Sequence, residues 1–193
     1  KFFDINEISY ENYHLKNNHK YHYLNLYLNL LKKLNIKIIS KEHYLPFENP
    51  LNPSKFNQGY YLFHIDKRWE MFDPLTKNKL KEKILILAKN YKIVLTSDIS
   101  GNNIFNFLKI ELENIPNLEF IENPDLHKIL SLIFYSNTCV SSHSGLIVHA
   151  GAAFKKNIID LVSPSINNEL DRWIPFNINY KRFDIDNFYN FDF

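Results

Sequence analysis

Between residues 60 and 162 the sequence switches repeatedly between two periodicities, and this alternation restricts the fold more than any single motif. Short apolar runs occur at Tyr60-Tyr61-Leu62-Phe63-His64, at Lys92-Ile93-Val94-Leu95-Thr96, and at 118–121, 138–141 and 158–162. They have the length of strands and lack the length of helices. Between them, residues 78–90, 103–113 and a segment from Asp125 onward carry apolar side chains at helical spacing. Ile104, Phe107, Leu108 and Leu112 share one face of the second segment, and Leu126, Ile129, Leu130 and Ile133 one face of the third. Strands joined through amphipathic helices imply right-handed crossovers, so the expected fold is α/β, a parallel sheet with helices on both faces.

The most informative strand-to-helix junction is Val140-Ser141-Ser142-His143-Ser144-Gly145-Leu146-Ile147-Val148-His149-Ala150-Gly151-Ala152-Ala153-Phe154. An apolar strand runs into a polar turn and then into a helix of small residues, which presents backbone N–H groups to an anion. The segment holds Gly145 and Gly151, two of only four glycines. Such turns at the carboxyl edge of a sheet are where nucleotides sit, so a phosphate or sugar site is expected here. His64-Ile65-Asp66-Lys67-Arg68-Trp69 follows the first strand and falls on the same edge. Lys67 offers a mobile point charge to a diphosphate, with Arg68 and Trp69 packing or stacking at the rim. A solvated basic turn whose Trp anchors the next helix accounts for the same composition. The chain has three Arg (Arg68, Arg172 and Arg182), and both of its Trp, Trp69 and Trp173, directly follow one. That pairing fits a need for planar guanidinium geometry, and equally an Arg stem packed on indole.

Several function classes are excluded. A net charge of +2 with no dense Lys/Arg stripe argues against nucleic acid as a partner. The single Cys139 lies in an apolar strand and reads as a buried thiol, which fits a reducing, cytoplasmic compartment. No apolar run is long enough to span a membrane, and the charged, Asn-rich start lacks a signal-peptide core. His64, His143 and His149 form no metal-ligand spacing, so no metal is expected. His149 would lie one turn into its helix, where a structural role is commoner, and His127 reads as surface. Ser142 and Ser144 flank His143 without a Gly-x-Ser-x-Gly elbow. Asp98, Ser100 and Gly101 more often mark a loop and helix cap than a ligand contact. The missing Gly-x-Gly-x-x-Gly fingerprint counts against an oxidoreductase.

With 193 residues the chain is long enough for more than one ordinary domain. Residues 22–37 carry Leu24, Tyr27, Leu28, Leu31 and Leu34 on one helical face. The Pro- and Asn-rich stretch 46–58 has no period and reads as a linker. The expected organisation is therefore 1–45, linker 46–58, an α/β domain over 59–176 and a tail of 177–193 without a clear period. The start at Lys1, in mid-pattern, is that expected of part of something longer.

His64 to Trp69, residues 118–132, His143-Ser144-Gly145 with His149, Ser163-Pro164 and Arg172-Trp173-Ile174-Pro175 occur in a familiar order. In this the chain resembles, over most of its length, the sugar-donor domain of the ADP-heptose:lipopolysaccharide heptosyltransferases, glycosyltransferase family 9. Residues 22–36 are similar to the helix that closes the acceptor domain of that family. The resemblance implies a Rossmann-like GT-B donor domain, preceded by a remnant of the acceptor domain. It also implies a donor-binding set of His64, Lys67, Ser97, Asp98, Leu126, His143, Ser144, Gly145, Leu146 and His149. In that set Lys67 contacts the diphosphate, His143 to Leu146 border diphosphate and sugar, Ser97 and Asp98 lie near the ribose, and Leu126 flanks the base. Two departures stand out. The family usually has an acidic residue or Asn where His143 stands, and its His follows the Gly after two residues, where three separate Gly145 from His149 here. A neutral imidazole offers one acceptor where a carboxylate offers several, so a different donor sugar is expected.

The activity implied is inverting, metal-independent transfer from a nucleotide-diphosphate sugar to a cell-surface glycan such as lipopolysaccharide core, with no cofactor. The partners implied are the sugar donor and a glycan or glycolipid acceptor. The general base would belong to the acceptor domain, as would any peripheral attachment to the inner face of the membrane. The competing reading is a non-catalytic nucleotide-binding or interaction module that has lost its acceptor half.

Overall fold

The computed structural model describes residues 28–29, 31–37, 43–48, 50–71, 76–99, 102–163, 173–175 and 178–184. The chain divides into two units, one formed by 1–41 with 166–174 and the other by 42–165 with 175–193. In the first, residues 28–29 and 31–33 are helical. Asn35 then takes a φ of 57°, and the amides of Asn35 and Ile36 turn back to the carbonyls of Lys32 and Leu31 at 3.0 and 2.9 Å. A residue in the left-handed region at this position stops a helix, so the one expected over 22–37 ends before Ile36. Its beginning lies outside the described residues.

The second unit holds a six-stranded sheet of β1 (Tyr60–Ile65), β2 (Ile93–Ser97), β3 (Leu118–Glu122), β4 (Ser136–Ser141), β5 (Asn157–Val162) and β6 (Tyr180–Asp184). Its order is β3-β2-β1-β4-β5-β6, and every pairing is parallel. A 3-10 turn, Lys67–Met71, and α1 (Thr76–Ala88) lie between β1 and β2, and α2 (Asn102–Leu112), α3 (Leu126–Tyr135) and α4 (Gly145–Ala153) fill the successive crossovers from β2 to β5. The expected strands and helices of 60–162 are all present, with boundaries displaced by no more than two residues. β6 is the exception. It lies in the stretch 177–193, where Tyr180-Lys181-Arg182-Phe183-Asp184 mixes aromatic and charged residues because an edge strand is buried on few sides.

The pleat sends alternate residues to opposite faces. Phe63, Ile65, Ile93, Leu95, Val140, Ile159 and Leu161 pack with Leu80 and Ile84 of α1 and with Ile104, Phe105 and Leu108 of α2. Tyr60, Leu62, Val94 and Cys139 pack on the other face with Ile129, Leu130, Leu132 and Ile133 of α3 and Ile147 and Ala150 of α4. Both faces are thus covered, which is why the central strands read as continuous apolar runs. Each fully buried Leu, Ile or Phe contributes about 1.5–3 kcal/mol. Burial also pushes the Cys139 thiol up to about 11, so it is an inert core residue.

The stretch 50–58 has no helix or strand but is fastened to the sheet's β3 edge. The Ser54 hydroxyl and the Lys55 amide donate to the Glu119 carboxylate. Lys55 Nζ donates to the Leu118 carbonyl at 2.7 Å, the Tyr135 hydroxyl to the Pro50 carbonyl at 2.6 Å, and Phe56 is buried. Among the described residues no helix is long and apolar enough to cross a membrane.

In the order 3-2-1-4-5-6 the direction of winding reverses between β1 and β4. The loops leaving those two strands part to opposite faces, which opens a crevice at their carboxyl ends. The two junctions singled out in the sequence are the loops that leave β1 and β4.

Candidate functional site

β1 ends in a compact turn built on Asp66. Its Oδ1 accepts the Arg68 amide at 2.9 Å, and its Oδ2 pairs with Arg68 Nη2 at 2.7 Å. Burial pushes the Asp66 carboxyl up, and the Arg68 guanidinium opposes that shift. Arg68 Nη1 also donates to the His143 carbonyl. Arg68 is therefore a strut that ties the β1 turn to the β4–α4 loop, with Lys67 beside it on an exposed position. Trp69 does not stack at the rim. It is fully buried, and its indole Nε1 donates to the His64 carbonyl at 2.8 Å, so it anchors the turn from below. Trp173, in the other unit, is 41% exposed, and Arg172 lies outside the described residues.

The β4–α4 loop turns on His143, which takes a φ of 51°, and Ser144 is the N-cap residue of α4. The Ser144 side chain makes no capping hydrogen bond, and the first bond of the helix runs from the Val148 amide to the Ser144 carbonyl at 2.8 Å. The amides of Gly145, Leu146 and Ile147 precede that bond and have no intrahelical acceptor. A Cβ built on Gly145 would meet nothing within 4 Å among the described residues, so none of them demands glycine there. Gly151 differs, because its Cβ would lie 3.2 Å from Ile158 Cδ1 and 3.3 Å from Cγ1. That glycine serves close helix–strand packing.

His64 sits in register with Thr96 of β2 and Ser141 of β4. The Thr96 hydroxyl donates to the Phe63 carbonyl at 3.3 Å, so its oxygen accepts from His64 Nδ1 at 3.1 Å. Burial pushes the His64 imidazole down to about 4, which keeps it neutral near pH 7. Ser97 ends β2 fully buried, and Asp98 follows on an exposed position. Leu126 opens α3 with 63% exposure, one residue after Asp125, whose Oδ1 caps the helix on the Lys128 amide at 2.7 Å. Leu146 is exposed at the first turn of α4. His149 is half-buried with its ring 5.4 Å from that of His43.

Nine of the ten sequence-singled residues thus sit at the carboxyl ends of β1 to β4 or in the turns that follow, with His149 one helical turn further on. Among the described residues no three His, Cys, Asp or Glu side chains converge as a metal-ligand group. Sequence reasoning missed Asp160, fully buried in β5, whose carboxylate holds His143 by both backbone and ring. The available signal was a lone charge inside the apolar run Ile158-Ile159-Asp160-Leu161-Val162.

No family model and no curated protein matches the chain. Solved structures do. The chain is similar to a glycosyltransferase family 9 protein of Veillonella parvula, with a TM-score of 0.61 at 15% identity over 89% of this chain and 51% of that one. It is also similar to Escherichia coli heptosyltransferase WaaC with ADP-2-deoxy-2-fluoro heptose, with a TM-score of 0.56 at 18% identity over 79% and 46%. A UDP-GlcNAc 2-epimerase of Methanocaldococcus jannaschii, in complex with UDP-GlcNAc and UDP, has a TM-score of 0.50 at 13% identity over 69% and 37%. The chain thus spans about half or less of the length of the proteins it matches. At such identities the likeness is one of fold, which is the Rossmann-like fold of the GT-B glycosyltransferases, as the sequence resemblance implied.

Proposed function

We propose that this chain is the donor-binding half of a glycosyltransferase that uses a nucleotide-diphosphate sugar. The observation that carries the reading is the meeting, at the switch point of the sheet, of two sources of positive potential. One is the uncapped first turn of α4, whose amides and macrodipole favour an anion. The other is the Lys67-Arg68 turn, which Arg68 ties to the same loop. A pyrophosphate carries the charge and the row of acceptor oxygens that such a rim can satisfy. Likeness of fold to proteins described with ADP-heptose analogues and with UDP-GlcNAc supports the same ligand class.

In the transfer reaction an acceptor hydroxyl attacks the anomeric carbon and the bond from that carbon to the β-phosphate oxygen breaks. The nucleoside diphosphate leaves with added negative charge. In this reading the Gly145, Leu146 and Ile147 amides and Lys67 Nζ stabilise that charge as it develops, and transfer inverts the configuration without a metal. His64, Ser97, Asp98, Leu126, His143, Ser144 and His149 complete the donor-binding set. The base that removes the hydroxyl proton belongs to an acceptor domain, with a heptose-like donor and a lipopolysaccharide-type acceptor as the finest form of the proposal. In this reading the chain works in the cytoplasm, and any attachment to the inner face of the membrane is made through the acceptor domain.

The test is isothermal titration of the chain with ADP, UDP, ADP-glucose and UDP-glucose, repeated on Lys67→Ala. The expected result is binding of at least one of these, weakened roughly tenfold once the ammonium of Lys67 no longer donates to the diphosphate. A chain that binds none of them, or a variant that binds as the parent does, removes the assignment.

A further inference from the structure

The Asp160 carboxylate divides its work between its two oxygens. Oδ1 accepts the backbone amide of His143 at 2.6 Å. Oδ2 accepts from the His143 ring at Nδ1, 2.5 Å away, and from the Tyr180 hydroxyl, also at 2.5 Å. The Tyr180 oxygen in turn lies 3.4 Å from Arg182 Nε, which donates to it. Burial and the neighbouring Asp160 charge push the Tyr180 phenol well above its ordinary value, so it remains a donor.

An ionised carboxylate only accepts, so Nδ1 carries a hydrogen, and whenever the ring is neutral its free lone pair is at Nε2. No protein group among the described residues bonds Nε2. The His143 side chain is 14% exposed, one residue ahead of the N-cap of α4. Its ring is fixed by a fully buried partner at one nitrogen and available at the other, beside the amides read above as the pyrophosphate cradle. A second-layer carboxylate that selects a histidine tautomer leaves the opposite nitrogen with one defined task.

We propose that Asp160 is a positioning residue: it holds His143 as the Nδ1–H tautomer, so that Nε2 accepts a hydrogen bond from one hydroxyl of the donor sugar. The proposal rests on the reading of this rim as a nucleotide-sugar site. It makes His143 a discriminator between the nucleotide sugar and the nucleoside diphosphate alone, since only the sugar supplies the hydroxyl.

Asp160→Asn reverses the geometry. The His143 amide still requires an acceptor and keeps the Asn oxygen, which leaves the NH2 group facing the ring, and Nδ1 must then accept. The hydrogen moves to Nε2 and the lone pair is lost from the ligand side. His143→Asn is the companion variant, because Asn tolerates a positive φ, keeps a donor toward Asp160 and has no Nε2.

The experiment combines long-range nitrogen–proton correlation spectra of the histidine rings with titration of ADP, UDP, ADP-glucose and UDP-glucose into the whole chain. The parent is expected to show His143 protonated at Nδ1, and Asp160→Asn to show it at Nε2. Both variants are expected to lose about 3- to 10-fold more affinity for the nucleotide sugars than for the free diphosphates, with Asp160→Asn/His143→Asn no weaker than His143→Asn. An unchanged tautomer in Asp160→Asn, an additive double variant, or equal losses for sugars and free diphosphates overturns the proposal. If Asp160→Asn does not fold, His143→Asn with unchanged sugar binding overturns it alone. A parent that binds none of the four ligands overturns the nucleotide-sugar reading and the sugar hydrogen bond with it, and the spectra still decide the tautomer.

Discussion

Gly145→Ala separates a residue kept for the fold from one kept for a ligand. Gly145 opens α4, its φ is not positive, and a Cβ there meets no atom of the described residues within 4 Å. Alanine therefore adopts the same backbone without strain, and restricting the unfolded chain stabilises the protein by about 0.4–1 kcal/mol. For a chain of this size that is a rise in Tm of roughly 1–4 °C. The same methyl group would stand between the first-turn amides and a pyrophosphate oxygen. Loss of the close approach is expected to weaken ADP or UDP binding by at least about tenfold, or about 1.4 kcal/mol. Differential scanning calorimetry and isothermal titration on one preparation read the two effects with opposite signs. Gly151→Ala is the control, since its Cβ would lie 3.2 Å from Ile158 Cδ1 and 3.8 Å from Cys139 Sγ. Overpacking of about 1–3 kcal/mol outweighs the helix-propensity gain of about 1 kcal/mol, so Gly151→Ala is expected to lower Tm and leave affinity alone. A Gly145→Ala protein that is stabilised yet binds as the parent does would refute the idea that this glycine makes room for a ligand.

Further outcomes are expected elsewhere. Trp69→Ala removes a fully buried indole and strands the His64 carbonyl that it bonds, at a cost of about 3–5 kcal/mol in urea unfolding; a loss under 1 kcal/mol would return Trp69 to a surface role. His64 has a folded-state value near 4, below that of the unfolded chain, so the unfolded state binds more protons between about pH 4 and pH 6.5. Stability from this group is present above the unfolded value and is lost as pH falls toward 4, by about 2 kcal/mol between pH 7 and pH 5. Denaturation of His64→Asn at the two pH values should lack that increment, and an equal increment in both proteins would place the pH dependence elsewhere.

Most of the fold was legible because buried parallel strands have to be apolar on both faces. Ile93-Val94-Leu95 can be little else, and α2 and α3 announce themselves by Ile104, Phe105 and Leu108 and by Ile129, Leu130 and Ile133. β6 was not legible, because an edge strand with half-buried residues carries no such requirement. In the site, the β4–α4 turn was visible as a pattern of Ser, His and Gly between apolar segments. The role of Arg68 was not, since whether a guanidinium meets a ligand or braces a loop depends on Asp66 and the His143 carbonyl, one of them 75 residues away. Asp160 was hidden for a related reason. Its partners His143 and Tyr180 are 17 and 20 residues away in sequence, and only the β4–β5–β6 register brings them to one carboxylate.

The lashing of Ser54 and Lys55 onto Leu118 and Glu119 has a consequence for handling as well as for shape. An outermost strand offers a row of hydrogen-bonding groups that another polypeptide can copy onto, and here part of that row is occupied from within. A domain trimmed to begin at Gly59 would keep every strand and helix of the sheet yet bare this flank. Such a trimmed domain should self-associate as its concentration rises, while the longer chain stays dispersed.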